Sequence, residues 1–214
     1  TGAAQGLGET VTTLFAKKGA DVILVDMQEE KMRKVVDSLS SFGRKGFPVA
    51  VDLTNRNDIR KAVELGLKEF GRIDILVNNA GIALLDRAED LSEEYWDKTM
   101  AVNLNATFFI SQLVGKDMIK RKSGKIISVA SQGGIIALDR HVAYCVSKAA
   151  IIEMTKVLAL EWGKYNINVN AISPTAFLTE MTKQVWGGKE GDVLKKQIPL
   201  GRFGYPEEIA AAIL

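Results

Sequence analysis

Short runs of apolar residues alternate with longer amphipathic segments along most of the chain. Continuous runs of Val, Ile and Leu are typical of strands that are buried on both faces of a sheet. They predict strands in five stretches, which are DVILVD (21–26), GFPVAVD (46–52), IDILVNNAG (73–81), GKIISVAS (124–131) and INVNAIS (167–173). Helical spacing predicts helices over residues 29–42, 55–71, 93–121 and 142–163, with a bend or break near Asn103 in the third.

Strands and helices that alternate through short connections form βαβ units, whose strands are parallel. The pattern therefore predicts an α/β fold in a single domain over residues 1–214, with a doubly wound parallel sheet and helices on both faces. Residues 174–199 contain Gly187 and Gly188 but no clear strand, which predicts a flap beside the substrate. The chain opens on a glycine-rich turn and closes within an apparent helix, so we expect the first and last strands of the sheet to lie outside it.

Composition narrows the class of protein. The 214 residues are 47% hydrophobic, which suffices for one full core, and the net charge of +2 is spread without the basic stripe expected of a nucleic-acid-binding protein. No apolar run approaches the roughly 18 residues of a membrane span. One histidine and one cysteine argue against a metal site, and the single cysteine favours a reducing compartment, the cytoplasm.

The stretch TGAAQGLG (1–8) stands directly before a helical pattern. Glycines let the backbone approach a pyrophosphate closely, and the following helix presents free N–H groups to it. Asp26 ends the next strand 18 residues after Gly8, close to the spacing of about 20 expected for a carboxylate on an adenosine ribose. A carboxylate there repels a 2′-phosphate, and the next residue is Met27 rather than an arginine, which favours NAD over NADP. The alternative interpretation is a tight loop followed by a solvated aspartate.

Tyr144 and Lys148 lie four residues apart in HVAYCVSKAA (141–150), which places them on one face of a helix. A half-buried tyrosine with a lysine extending past it explains the pair equally well when it is considered alone.

Four separated stretches occur in a fixed order: TGAAQGLG, NNAG (78–81), VNLNATF (102–108), and SVASQGG with YCVSK (128–134 and 144–148). Together they resemble the short-chain dehydrogenase/reductase family, and the resemblance covers essentially the whole chain. It implies a Rossmann-type fold and an NAD-dependent alcohol dehydrogenase. The chain departs from the family pattern at Thr175, where glycine is usual.

The resemblance also implies roles for individual residues. The catalytic tetrad would be Asn103, Ser131, Tyr144 and Lys148. The diphosphate turn would comprise Gly2, Gln5, Gly6, Leu7 and Gly8. Further cofactor-binding residues would be Asp26 and Met27 at the ribose, Asp52 and Leu53 at the adenine, Asn79, Ala80 and Gly81 beside the cofactor, and Pro174, Phe177 and Thr179 near the nicotinamide and phosphates, with Tyr144 and Lys148.

The chemistry of alcohol oxidation explains why these residue types would be needed. The nicotinamide takes a hydride, and a base must take the hydroxyl proton. A phenol has an ordinary pKa near 10, so we expect the Lys148 ammonium to favour the Tyr144 phenolate and make it a general base. Ser131 would donate to the substrate oxygen, and Asn103 would hold a water that carries the proton outward.

The run ALDRHVAYCVSKAAIIEMTKVLALEW (137–162) most resembles polyol and diol dehydrogenases of the threitol, arabitol, galactitol and propanediol type. Gln132 and His141 are the candidate substrate-binding residues, with Asp139 and Arg140 close to them in sequence, although His141 could equally be a helix-entry residue. Two alternatives are a 3-oxoacyl-thioester (acyl-carrier-protein) reductase and a non-catalytic NAD-binding regulator.

The helix predicted over 142–163 is apolar on more than one side, which is typical of a helix buried on both sides. We therefore expect a homo-oligomer, a homotetramer as the resemblance implies, with this helix and the one after Asn103 at an interface.

Overall fold

All five predicted strands are present in the computed structural model, which describes residues 1–179, 182 and 188–214. The strands are β1 (Val22–Asp26), β2 (Gly46–Ala50), β3 (Ile75–Asn78), β4 (Gly124–Val129) and β5 (Ile167–Ile172). The helices are α1 (Gly6–Lys17), α2 (Glu29–Leu39), α3 (Arg56–Phe70), α4 (Glu93–Met100), α5 (Ala106–Arg121), α6 (Val142–Trp162), α7 (Lys189–Gln197) and α8 (Pro206–Ile213).

Every strand pair is parallel, which confirms the α/β prediction. Hydrogen bonds divide the strands into two sheets, β1–β2 and β3–β4–β5. The first strand of the sheet, which is expected to lie outside the chain, would fall between β1 and β3, and residues of both strands line the space there. The glycine-rich turn links their carboxyl ends, because the Thr1 nitrogen donates to the Val77 oxygen at 2.9 Å and the Gly2 nitrogen to the Val25 oxygen at 2.9 Å.

Helices cover both faces of the strands. Ile126 of β4 belongs to the core cluster that contains the buried side chains of α3 and α5. Its neighbours Ile127 and Val129 contact the cluster formed by α1 and α8. Successive side chains of a strand point to opposite faces, so these two helix layers lie on opposite sides.

The break expected near Asn103 is confirmed. A π-helical segment, Ala101–Asn105, connects α4 to α5, so the helix predicted over 93–121 consists of two α-helices with a π segment between them. Such π segments are rare and occur often at functional sites, because they rotate one residue out of the regular helical register.

The apolar sides of α6 have different environments. Ile151 and Leu158 are buried within the chain, whereas Val157 is exposed and Leu160 has 83% of its surface accessible. Among the described residues, no helix is both long enough and apolar enough to cross a membrane.

Candidate active site

The carboxyl ends of the parallel strands border a cleft of about 290 Å³. Ligands of open α/β sheets bind at this edge. The cleft brings together many of the sequence-predicted site residues, namely Gly2, Gln5, Gly6, Leu7, Asp26, Asn79, Ser131, Gln132, His141, Tyr144, Lys148, Pro174, Phe177 and Thr179. Seven others do not line it, namely Gly8, Met27, Asp52, Leu53, Ala80, Gly81 and Asn103.

The glycine-rich turn forms one wall of the cleft. Gly2 and Gly6 have φ angles of 63° and 59°, in the left-handed region that favours glycine. At Gly8 a Cβ would lie 1.9 Å from the Gly2 carbonyl oxygen, so a side chain at this position cannot be accommodated. Asn79 holds the turn, since its Nδ2 donates to the carbonyl oxygens of Thr1 and Gly2, each at 3.1 Å.

Helix α1 begins inside this turn. Gln5 precedes its first residue and makes no capping hydrogen bond with its side chain. The first amides of a helix have no intrahelical acceptor, and the helix dipole adds positive charge there. The turn and the start of α1 therefore fit a diphosphate.

Asp26 ends β1 at the same end of the cleft. Its Oδ2 accepts from the Ala4 amide at 3.1 Å and its Oδ1 from the Gln28 amide at 3.0 Å, so two backbone groups fix the carboxylate. Met27 instead points its side chain away, with 67% of its surface exposed. Gln28, which sequence reasoning did not single out, lines the cleft beside Asp26. Its position two residues after the end of β1 was the available signal.

The structure does not bring Asp52 and Leu53 to the cleft. The Asp52 Oδ1 accepts from the amide and hydroxyl of Thr54 at 2.8 and 2.9 Å, in a local turn. Leu53 is buried in the main hydrophobic cluster. Their assignment to the adenine pocket stays a prediction.

Ser131, Tyr144 and Lys148 meet at the opposite wall. The Ser131 hydroxyl accepts from the Gly133 amide at 3.1 Å, at the start of a short 3₁₀ turn after β4. The Lys148 Nζ lies 5.7 Å from the centre of the Tyr144 ring and donates to the Val129 carbonyl oxygen at 2.7 Å. The spacing on α6 thus places phenol and ammonium together, as expected from the sequence.

Burial shifts the proton equilibria of both groups. It raises the pKa of the Tyr144 phenol, while a hydrogen bond from the Ser131 hydroxyl lowers that pKa and the neighbouring Cys145 raises it. Burial lowers the pKa of Lys148 from 10.5 to about 8, because an ammonium loses its hydration inside the protein. The phenol is therefore neutral in this state of the protein, and Lys148 titrates near the physiological range.

Asn103 lies behind the cleft, fully buried in the π-helical segment. Its Nδ2 donates to the Ile82 carbonyl and to the Ser147 hydroxyl, each at 3.0 Å, and its Oδ1 accepts from the Ile82 amide at 2.8 Å. The side chain therefore ties the loop after β3 to α6. The predicted water relay through Asn103 stays a prediction.

The structure separates the four polar residues proposed near the substrate. Gln132 and His141 line the cleft, whereas Asp139 and Arg140 are exposed. The buried His141 ring packs against Tyr144 with 6.0 Å between ring centres. Its Nδ1 contacts the Asp139 carbonyl, which can only accept, so Nδ1 carries a hydrogen. Arg140 pairs with Asp86 at 3.8 Å, in the loop after β3.

The segment after β5 completes the cleft. Thr175, where the family pattern has glycine, lines it and does not adopt a left-handed backbone; among the described residues only Lys122, Arg140 and Asn166 are non-glycine residues that do. The Phe177 backbone pairs with Gly204, which anchors this segment to the chain before α8. Of the predicted flap, residues 180, 181 and 183–187 lie outside the described part of the chain. Ala83, Leu138 and Thr182 also line the cleft; Thr182 lies in the predicted flap, whereas Ala83 and Leu138 were not among the predicted site residues.

A glycine turn at a parallel sheet edge, a carboxylate at the next strand end and a Ser–Tyr–Lys group define a dinucleotide-dependent oxidoreductase of the α/β class. The family model for short chain dehydrogenases matches residues 1–190. The chain belongs to this family, as the sequence motifs predicted.

Two relatives within the family are polyol dehydrogenases by name. The chain is 52% identical over 214 residues to an NAD-dependent glycerol dehydrogenase of Listeria innocua, covering 100% of this chain and 83% of that protein. It is 47% identical to a D-threitol dehydrogenase of Mycolicibacterium smegmatis, covering 99% of this chain and 82% of that protein. A crystal structure of NAD⁺-bound xylitol dehydrogenase superposes with a TM-score of 0.94 at 27% identity, covering 99% of this chain and 88% of the other.

Proposed function

We propose that the protein is an NAD-dependent dehydrogenase that interconverts a secondary hydroxyl of a small polyol or diol and the corresponding ketone. The observation that carries the proposal is a single cleft in which Ser131, Tyr144 and Lys148 face a glycine turn and Asp26. The glycerol and threitol dehydrogenases, at 52% and 47% identity, support the reaction type and the substrate class.

The residues present fit NAD. The turn is closed to side chains at Gly8, and the amides that begin α1 suit a diphosphate, while the fixed Asp26 carboxylate can accept from ribose hydroxyls. Bound at these residues, NAD⁺ would supply the acceptor for the hydride of the substrate carbon and a positive charge that would favour the Tyr144 phenolate.

The side chains of the protein handle the proton. The Tyr144 hydroxyl, adjacent to Ser131, accepts the substrate proton in oxidation and returns it in reduction. Ser131 donates to the substrate oxygen and stabilises charge that develops there. Lys148, whose Nζ lies 5.7 Å from the centre of the phenol ring, supplies a positive charge that favours the phenolate. Asn103 positions Lys148 indirectly, through Ser147 and the loop at Ile82.

Gln132 and His141 favour a polyhydroxylated substrate. Both are polar, both line the cleft, and a buried polar group that loses its partner hydroxyl costs binding free energy. The runner-up function, 3-oxoacyl-thioester reduction, is supported by 42% identity to an acyl-carrier-protein reductase of Thermotoga maritima. That reaction would use a reductant with a 2′-phosphate, which the Asp26 carboxylate repels. The complete Ser–Tyr–Lys group argues against a non-catalytic regulator.

A substrate panel tests the proposal. Glycerol, threitol, xylitol and a simple secondary alcohol would be compared with NAD and NADP in parallel, alongside a 3-oxoacyl thioester with each reduced cofactor. We expect the best polyol with NAD to exceed the simple alcohol by at least about tenfold in kcat/KM. Equal kcat/KM values for both alcohols, or a preference for the thioester with NADPH, would contradict it.

Variants assign the preference to residues. His141→Ala and Gln132→Ala should each reduce kcat/KM for the polyol more than for the simple alcohol. Asp139→Ala is the matched control, since it removes an exposed side chain but keeps the carbonyl that His141 contacts. If both cleft variants kept the preference for the polyol over the simple alcohol, groups other than Gln132 and His141 would bind the additional hydroxyls.

We also propose that the protein forms a homotetramer through α5 and α6. Support comes from the exposed apolar side chains Val146, Val157 and Leu160 on α6. Light scattering at micromolar concentration should report an oligomer, and Leu160→Glu should weaken it. Met27→Glu, the same kind of change on an exposed residue outside α6, should leave the mass unchanged. A monomeric wild-type protein would contradict the proposal.

The cytoplasmic location remains a proposal, supported by the single cysteine of the sequence. Fractionation of cells that carry the full-length protein tests it.

A further inference from the structure

A lysine of α2 reaches the end of the cleft at which Asp26 lies. Lys31 is the third residue of α2, and its Nζ donates to the Gln5 Oε1 at 2.6 Å. Gln5 precedes α1 and lines the cleft together with Asp26 and Gln28. The contact therefore places an ammonium group on Gln5, a residue that lines the cleft together with Asp26.

No carboxylate in the described part of the chain pairs with this ammonium. Arg33, two residues further along α2, pairs with Glu29 at 2.5 Å. Lys31, by contrast, forms no ion pair within 4.0 Å in the described part of the chain, and its contact is to a neutral amide oxygen. Its positive charge thus lies beside Gln5, which lines the end of the cleft that holds Asp26.

Asp26 provides the opposing charge. Both of its oxygens already accept from backbone amides, so the carboxylate cannot turn away to pair with Lys31 without losing those bonds. A phosphate on the 2′-oxygen of a bound ribose would meet a fixed negative charge from Asp26 and a positive charge from Lys31. Met27, whose side chain is exposed outside the cleft, does not enter this balance.

We propose that Lys31 is a specificity-determining residue for the adenosine half of the cofactor: it already supplies the cation for a 2′-phosphate, and Asp26 alone keeps that phosphate out. This inference rests on the proposed NAD site. Its consequence is that replacing Asp26 suffices to admit 2′-phosphorylated ligands, with no arginine introduced at Met27.

Binding of non-reacting fragments tests the inference separately from catalysis. Isothermal titration would compare adenosine 2′,5′-bisphosphate with ADP against the wild type, Asp26→Ser, and Asp26→Ser combined with Lys31→Gln. We expect Asp26→Ser to bind the 2′-phosphate ligand at least about tenfold more tightly than the wild type does. The double variant with Lys31→Gln should bind this ligand about fivefold more weakly than Asp26→Ser alone, which is the ratio expected for a partly exposed charge pair.

A neighbouring lysine provides the control. Lys34→Gln, on the same helix and also exposed, should leave the affinity of Asp26→Ser within about twofold. Because exposed charges are screened by salt, the Lys31 effect should shrink in about 0.5 M NaCl.

Lys31→Gln alone keeps the test decisive even if Asp26→Ser does not fold. In that variant we expect weaker binding of the 2′-phosphate ligand and unchanged binding of ADP. Equal losses of affinity for both ligands would place Lys31 at the diphosphate and overturn the inference. It would also be overturned if Lys31→Gln did not change the affinity of Asp26→Ser for the 2′-phosphate ligand. A failure to oxidise polyols, with these affinities as expected, would overturn only the proposed function.

Discussion

Replacing Lys148 with Met tests whether the ammonium tunes the Tyr144 phenol. Methionine keeps much of the length and apolar surface of the side chain but removes the charge. The wild-type Nζ lies 5.7 Å from the centre of the phenol ring, and Lys148 is 4% exposed, so solvent screens the pair weakly. We therefore expect the variant to alter the chemistry of Tyr144 without rebuilding the cleft.

The magnitude follows from Coulomb's law. With the 5.7 Å from the Lys148 Nζ to the ring centre taken as the charge separation and an effective dielectric constant of about 20, the attraction between ammonium and phenolate is about 3 kcal/mol. Each pKa unit corresponds to about 1.4 kcal/mol, so a charged Lys148 should lower the Tyr144 pKa by about two units, and Lys148→Met should remove that effect. Burial already raises this pKa, and the variant adds to that shift.

The assay is the pH dependence of kcat/KM for polyol oxidation. At about pH 7, where Lys148 is charged in the wild type, we expect the variant to lose about 100-fold in kcat/KM. The pKa of Lys148 is lowered to about 8, so its charge disappears above that pH in the wild type as well. The ratio of wild-type to variant activity should therefore fall steadily as the pH increases beyond 8.

Lys156→Met is the matched control, because Lys156 is an exposed lysine of α6 that pairs with Glu153. It should leave both the height and the midpoint of the profile unchanged. If Lys148→Met lowered kcat/KM by the same factor at every pH, Lys148 would act by holding a ligand rather than by tuning the phenol.

Three further outcomes are expected. Tyr144→Phe should abolish turnover but keep the Kd for NAD, measured by titration, within severalfold of the wild-type value, because the aromatic ring and Lys148 stay in place. If the variant retained a tenth of the wild-type kcat, the general-base role of Tyr144 would be excluded. The pKa of Lys148 is lowered from 10.5 to about 8 in the folded protein, so between these pH values the unfolded chain binds more protons. In urea unfolding of the ligand-free protein, the free energy of unfolding should thus rise by up to about 3 kcal/mol between pH 8 and 10.5, relative to that of Lys148→Met. If the two proteins showed the same dependence of this free energy on pH, the lowered pKa of Lys148 would be refuted. Gly8→Ala should abolish NAD binding in the same titration, since its Cβ meets the Gly2 carbonyl at 1.9 Å, whereas Gly163→Ala, with nothing within 4 Å, should bind normally.

The order and type of the elements could be predicted from the sequence because both depend on local patterns. Buried parallel strands produce continuous apolar runs, and amphipathic helices repeat every 3.6 residues. The i, i+4 spacing of Tyr144 and Lys148 likewise requires only a helix to place them together, and α6 does so. Glycines that must adopt positive φ, such as Gly2 and Gly6, are also visible in sequence, because other residues rarely replace them there.

Tertiary structure decided which polar side chains share the cleft. Gln132 and His141 enter it while Asp139 and Arg140 do not, because the loop path and the left-handed backbone of Arg140 set their directions. Only the packed structure shows that the Asn103 side chain is committed to Ile82 and Ser147. It also shows Lys31 reaching Gln5 across 26 residues of sequence. Contacts of this kind depend on how distant segments are brought together, and no local periodicity records that.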